Sequence, residues 1–440
     1  MTKKDVKYAI QRGLGRGYLA VREDPERYRD LVLWACGRNL AFDPQCEGTR
    51  SWYDYQLILC YPDQTEFRDL VMDRLQAKKP DRAWDYAHFS ELLSYFAMDG
   101  DRTAEDALWA KYREFLARIR GIRRRGRPLR QTRECLEVLG LSLSWRAENY
   151  AAIAADLGAL FRKNTLLDGW AFAWLYGSRP ESYNRQLRKR AANSPDLTAW
   201  FAAMDALEEE KTSVAGIPRE SPPPTGGRRL SVYLKWKKPE LAPSYAEAYL
   251  EASDPSARAE ALEAFFVCPY PFDPAPILKD AESEHPALRA AARNALAEIR
   301  DPRVRRFAWD HMEDAPAEML PIAVKNYLPK DDTLLRPWLQ RLSVDYACKS
   351  NWHTIHTAVL RLFVRDSGVD APPKSLLPLV YETTLCSYCR ERAAWRMRRY
   401  RMIAPELWEE QQYDANDEIR HAAEVHFRRQ TSAGKGTPDV

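Results

Sequence analysis

Nowhere in the 440 residues does an uncharged apolar run approach the roughly 18 residues needed to cross a bilayer. The longest candidates, such as GWAFAWLYGS, stop near ten residues. The opening stretch MTKKDVKYAIQRG offers no apolar core for a signal peptide, so no membrane partner is expected. Cysteine is sparse, eight in the whole chain, which excludes a dense disulfide framework and points to the reducing cytoplasm. An excess of charge of either sign is nearly absent: 67 basic residues face 63 acidic ones, a formal net charge of +4. No global field then draws nucleic acid or membrane, and any electrostatic function must be local. Catalytic signatures are missing as well. There is no Walker loop, no Gly-x-Ser-x-Gly elbow and no His-Glu-x-x-His. Gly13, Gly15 and Gly17 follow no strand pattern and read as a hinge between helices, not as a dinucleotide loop. A non-enzymatic protein without an organic cofactor is expected.

What the chain has is repetition. In HPALRAAARNALAEIRDPRV, Leu288-Arg289, Ala291-Ala292 and Ala295-Leu296 place small residues on one narrow helical stripe, against which a second helix can approach closely. The same grammar recurs at DPSARAEALEAFF and NDEIRHAAEVHF, with weaker copies at AEMLPIAVKNYL, NWHTIHTAVL and CRERAAWRM. Anchors at Ala257, Leu288, Met319, Trp352, Cys389 and Ile419 are spaced 31, 31, 33, 37 and 30 residues apart. Two amphipathic helices per 30 to 40 residues is the signature of an α-solenoid.

The region from about 243 to 430 resembles HEAT repeats of the short kind, in which Asp or Pro precedes a hydrophobe-Arg pair and then Ala-Ala. The resemblance implies an all-α solenoid of stacked antiparallel helical hairpins, an armadillo-type fold. It further implies a structural role for Arg258, Arg289, Arg390 and Arg420, each paired with loop acids, whereas Leu320 and His353 break that pattern. The His-Glu dipeptides with which di-iron HEAT hydroxylases hold their metals are absent. Residues 1–210 read as a more divergent helical-hairpin domain, in which PERYRDLV and QTEFRDLV repeat 39 residues apart. Residues 211–242 read as a Pro/Gly-rich linker ending in a short extended segment, because LSVYLKW at 230–236 alternates apolar and polar positions. Residues 431–440 read as a disordered tail. Trp170, Trp174 and Tyr176 fall at helical spacing and are expected in the core.

Two motifs carry chemistry. RIRGIRRRGRPLRQTR holds Arg118, Arg120, Arg123, Arg124, Arg125, Arg127, Arg130 and Arg133 with no acid, and its glycines and proline predict a loop able to reach an anionic partner. CSYC is the only Cys-x-x-Cys. In the repeat register Cys348, His353, Cys386 and Cys389 fall at one end of two neighbouring repeats, a ligand set suited to zinc, with packing as the competing role. His356 falls at a packing position. The reading is a non-catalytic scaffold that binds a protein partner. The alternative is a nucleic-acid-binding HEAT-like protein, resembling the DNA alkylation-repeat type, that uses the arginine loop and a basic groove.

Overall fold

The computed structural model describes residues 1–77, 83–163, 167, 169–215, 227–345, 349–364, 367, 369 and 371–433. Every regular element among them is a helix; no strand occurs among the described residues. The chain divides into two compact units: Met1–Pro218 with Pro405–Val440, and Arg219–Ala404.

In the first unit, aromatic side chains dominate the interior. Tyr53, Tyr61, Phe67, Tyr86, Phe89, Tyr112, Phe115, Tyr150 and Trp200 are all fully buried. Each removes a large apolar area from water, worth roughly 1.5–3 kcal/mol per side chain before entropy is counted. The repeated Arg-Asp-Leu-Val stretches explain how successive helices are pinned. Helix Pro25–Cys36 packs on Thr65–Ala77, which packs in turn on Arg102–Gly121. Arg29 Nε donates to Glu66 in the first turn of the next of these helices, at 2.9 Å. Arg68 Nη1 donates to Asp101, the N-cap of the one after, also at 2.9 Å. The same sequence position thus ties each helix to the start of its successor.

The second unit is built on a ladder. Helices Pro255–Leu262, Pro286–Leu296, Pro316–Lys325, Lys349–Arg361 and Ser387–Arg399 pack each on the next. Helices Ala242–Glu251, Ala275–Asp280, Pro302–Asp310 and Leu376–Thr383 each pack on the ladder helix that follows. The Asp/Pro and His/Pro pairs of the sequence start these helices. Asp254 and His285 accept the N–H three residues on, Asp301 accepts that of Arg303, and proline fills the next position, where no donor is needed. Alanines then let neighbours approach: Ala292, Ala295, Ala393 and Ala394 are fully buried.

Five expectations are corrected. LSVYLKW is not extended: Gly227–Trp236 is a helix. Leu230 and Leu234, four apart, are buried, whereas Val232 and Trp236 are 43% and 69% exposed, so the alternating apolar residues never shared a face. Helix Pro195–Ala215 runs into the expected linker, of which 216–226 lie outside the described residues. Helix Asp417–Ala433 continues into the expected tail, of which 434–440 lie outside. Among the repeat anchors, Leu288, Met319, Trp352, Cys389 and Ile419 are buried but Ala257 is exposed. That helix ends at Leu262 in a 3-10 turn, and Ala259, Leu262, Ala264 and Phe265 fill the core instead. Trp174 is 53% exposed rather than internal, edge-on to Trp84.

Candidate functional site

The arginine-rich stretch is mostly helix, not one long loop. Arg118 and Arg120 lie in the last turn of helix Arg102–Gly121, where a cation complements the helix dipole. Arg127, Arg130 and Arg133 belong to helix Arg127–Leu143. Only 122–126 connect the two, turning at Gly126 with φ of 145°. Half of the eight guanidiniums are engaged or sheltered: Arg118 pairs with Glu114, Arg120 with Asp156 at 3.9 Å and Arg130 with Glu134 at 3.4 Å, and Arg133 is half-buried. Arg123, Arg124, Arg125 and Arg127 are exposed and form no ion pair with a described residue. They crowd the N-terminus of a helix whose first turn holds no acid, so cationic side chains and helix dipole add.

The cysteine motif occupies a helix start in the second unit. Cys386 is the N-cap of helix Ser387–Arg399 and Cys389 its third residue, which brings both side chains to one side of the first turn. His353 stands opposite on the neighbouring ladder helix, Lys349–Arg361. The ligand atoms of His353, Cys386 and Cys389 all lie within 4.8 Å of one another, with Cys389 Sγ 3.6 Å from His353 Nδ1. Cys386 and Cys389 are buried and not joined by a disulfide; His353 is half-buried. The neighbouring Cys386 thiol, together with burial, pushes the Cys389 thiol above its ordinary range. Thr357 Oγ1 lies 3.8 Å from Cys389 Sγ. His356 is outside this group: its Nε2 is 2.9 Å from Thr383 Oγ1 and its ring stacks on Trp352. Cys348 lies outside the described residues.

No family model, curated protein or solved structure matches the chain.

The register-equivalent arginines share a geometry that differs from the expected acid pairing. Arg258 Nη1 donates to the carbonyl of Ala252, Arg289 Nη1 to that of Ser283, and Arg420 Nη1 to that of Asp414. In each case the acceptor lies six residues upstream, so the arginine closes the turn that leads into its own helix. Of these three, Arg258 alone adds an acid, donating to Asp280 through Nε at 2.9 Å and Nη2 at 2.6 Å, beside the Tyr249 hydroxyl. Arg420 lies over the Trp52 ring at 3.5 Å, and Arg390 is fully buried. The second unit also carries a cleft of about 790 Å³ lined by Arg300, Arg305, Arg306 and Trp309. Two of its cations are already engaged, Arg305 with Asp331 and Arg300 with the Ser367 carbonyl, so it offers less unpaired charge than the arginine turn.

Ionisable groups that no local pattern flagged lie in the first unit. His88 Nε2 is 3.7 Å from Asp54 Oδ2, and both side chains are fully buried. Burial pushes His88 down to about 4 and raises Asp54 well above the usual carboxylate range. Burial likewise pushes Glu137 up to about 7, although it accepts the N–H groups of Trp174 and Leu175. Nothing in the spacing of these residues distinguishes them from ordinary core and cap positions. No helix among the described residues is long and apolar enough to cross a membrane.

Proposed function

We propose that the chain is a non-catalytic scaffold of HEAT-like helical repeats that docks an acidic protein segment on the turn between helices Arg102–Gly121 and Arg127–Leu143. The observation that carries this reading is the row of exposed arginines at 123, 124, 125 and 127 without carboxylate partners, set at a helix N-terminus. Many other arginines are engaged internally, as Arg29, Arg68, Arg258 and Arg289 are, whereas these four stand together within five residues without such a partner among the described residues. Guanidiniums match carboxylates with two parallel hydrogen bonds, which favours a Glu/Asp-rich partner strand or helix end. The solenoid reading is supported by the ladder of five helices, each packed on the next at the repeat spacing. The near-neutral total charge favours a local protein contact over a long nucleic-acid track.

The test is affinity capture from native lysate, with and without nuclease, using the full chain and the variant R123A/R124A/R125A. The expected result is a protein partner retained after nuclease and weakened at least tenfold by the variant. Nuclease-sensitive capture, with salt dependence that flattens in the variant, supports instead the nucleic-acid reading. Equal capture by both chains removes the arginine turn from function altogether.

A further inference from the structure

We infer that His353, Cys386 and Cys389 hold one zinc ion, clamping together two consecutive ladder helices of the second unit. The argument begins with donor geometry. A tetrahedral zinc, with Zn–S near 2.3 Å and Zn–N near 2.05 Å, sets its sulfur and nitrogen ligands about 3.5 Å apart. Cys389 Sγ and His353 Nδ1 are 3.6 Å apart, and all three donor atoms fall within 4.8 Å. The three donor atoms therefore already converge on one point between the two helices.

The chemistry of the set selects the metal. Two thiolates and one imidazole, with no carboxylate in the group, suit a borderline-soft divalent cation and disfavour magnesium or calcium. Two thiolates balance the ion's charge and leave a neutral centre. The N-terminus of helix Ser387–Arg399, whose cap and third residue supply the thiols, stabilises their negative charge further. Thr357, at 3.8 Å from Cys389 Sγ, is placed to donate to the bound thiolate as an outer-shell partner. Cys386 and Cys389 are buried while His353 is half-exposed, so the group is reached by solvent from the histidine side.

The site does structural work. Its ligands span 36 residues from His353 to Cys389, one full repeat, and metal binding closes that loop. Two features mark this rung as one that needs a clamp. His353 stands where the repeat pattern calls for arginine, so the helix lacks the turn-closing side chain that Arg258, Arg289 and Arg420 provide. Its spacing to the next anchor, 37 residues, is the longest of the series.

The test uses the full-length chain, made in zinc-supplemented medium and dialysed against metal-free buffer. Elemental analysis is expected to give about one zinc per chain. Cobalt(II), loaded into the stripped protein, is expected to give sulfur-to-metal charge-transfer absorption and the visible bands of a tetrahedral ion. C386S/C389S is expected to bind less than a tenth of an equivalent of either metal, and H353A to bind cobalt at least tenfold more weakly. Absence of metal from the folded wild type, or equal binding by C386S/C389S, overturns the proposal. Should that variant fail to fold, alkylation of the wild type decides. Zinc is expected to slow labelling of Cys386 and Cys389 at least tenfold, a protection reversed by chelator; equal labelling with and without zinc overturns the site.

Discussion

At the scale of single residues, burial decides more than charge. Glu137 sits against the start of helix Ala173–Gly177, accepting two backbone N–H groups that favour its ionised form, yet desolvation outweighs them and lifts it to about 7. Its folded value lies above the unfolded one of 4.5, so its contribution to stability is complete below pH 4.5 and is lost as pH rises through 7. His88 works in the opposite sense. Its folded value is depressed, so its contribution is complete above 6.5 and is lost as pH falls through about 4. Glu137→Gln keeps an acceptor for the backbone donors and removes the titration. The urea midpoint of this variant relative to wild type is expected to climb between about pH 4.5 and 7 and to level off above that. A difference that stays constant over that range would exclude Glu137 as a titrating buried group. His88 and Asp54 are unchanged in the comparison, so the difference isolates Glu137.

At the scale of elements, close approach of backbones is the limiting condition. Helix Ala147–Lys163 meets helix Pro195–Ala215 at Gly158, where a Cβ would stand 1.8 Å from the carbonyl oxygen of Asp196. The contact is reinforced by Arg162 paired with Asp196 at 2.9 Å and by Phe161 against Trp200. Gly158→Ala must push the helices apart, and a loss of about 1–3 kcal/mol in chemical denaturation is expected, with helical content unchanged. A neutral result would mean that the two helices do not meet at Gly158. The arginine devices belong to this scale too. Arg29 and Arg68 bridge to the next helix start, whereas Arg258, Arg289 and Arg420 close the turn before their own helix. The repeat pattern exposes the arginine positions, but the acceptors at residue minus six are backbone carbonyls, invisible to any reading of side-chain types.

At the scale of the whole molecule, both chain ends belong to one unit. Ala415 N–H donates to the Gly13 carbonyl at 2.8 Å, Arg16 pairs with Glu410 at 3.5 Å, and Tyr413 stacks on Tyr18. Helix Gly15–Glu23 packs directly on helix Pro405–Gln411. Gly13, with φ of 71°, ends the first helix, and Gly15 opens the second so closely that a Cβ there would lie 1.8 Å from the Glu410 carbonyl oxygen. Gly15→Ala is expected to raise hydrogen exchange in 405–433 and in Gly15–Glu23, leaving the ladder helices of the second unit protected. Unchanged exchange at both chain ends would count against this docking.

The hydrophobic period, the Asp/Pro helix starts and the 30-residue spacing are local properties of the chain. They determined by themselves that the protein is helical and where several of the second unit's helices begin, as at Asp254-Pro255, His285-Pro286 and Asp301-Pro302. They also marked Cys348, His353, Cys386 and Cys389 as positions near one another; the structure brings the last three together, and Cys348 lies outside the described residues. Tertiary structure alone decided the rest. Seven residues of period-two pattern became a helix at Gly227–Trp236 because the core accepts Leu230 and Leu234 together. Of the eight arginines, three found acids: Arg118 and Arg130 in Glu114 and Glu134, one helical turn away, and Arg120 in Asp156, brought in by a different helix. Helix Pro405–Gln411 and the turn after it joined the first unit because they fit against two N-terminal glycines. Burial, partner choice and backbone approach depend on what the rest of the chain brings near, and no local pattern records them.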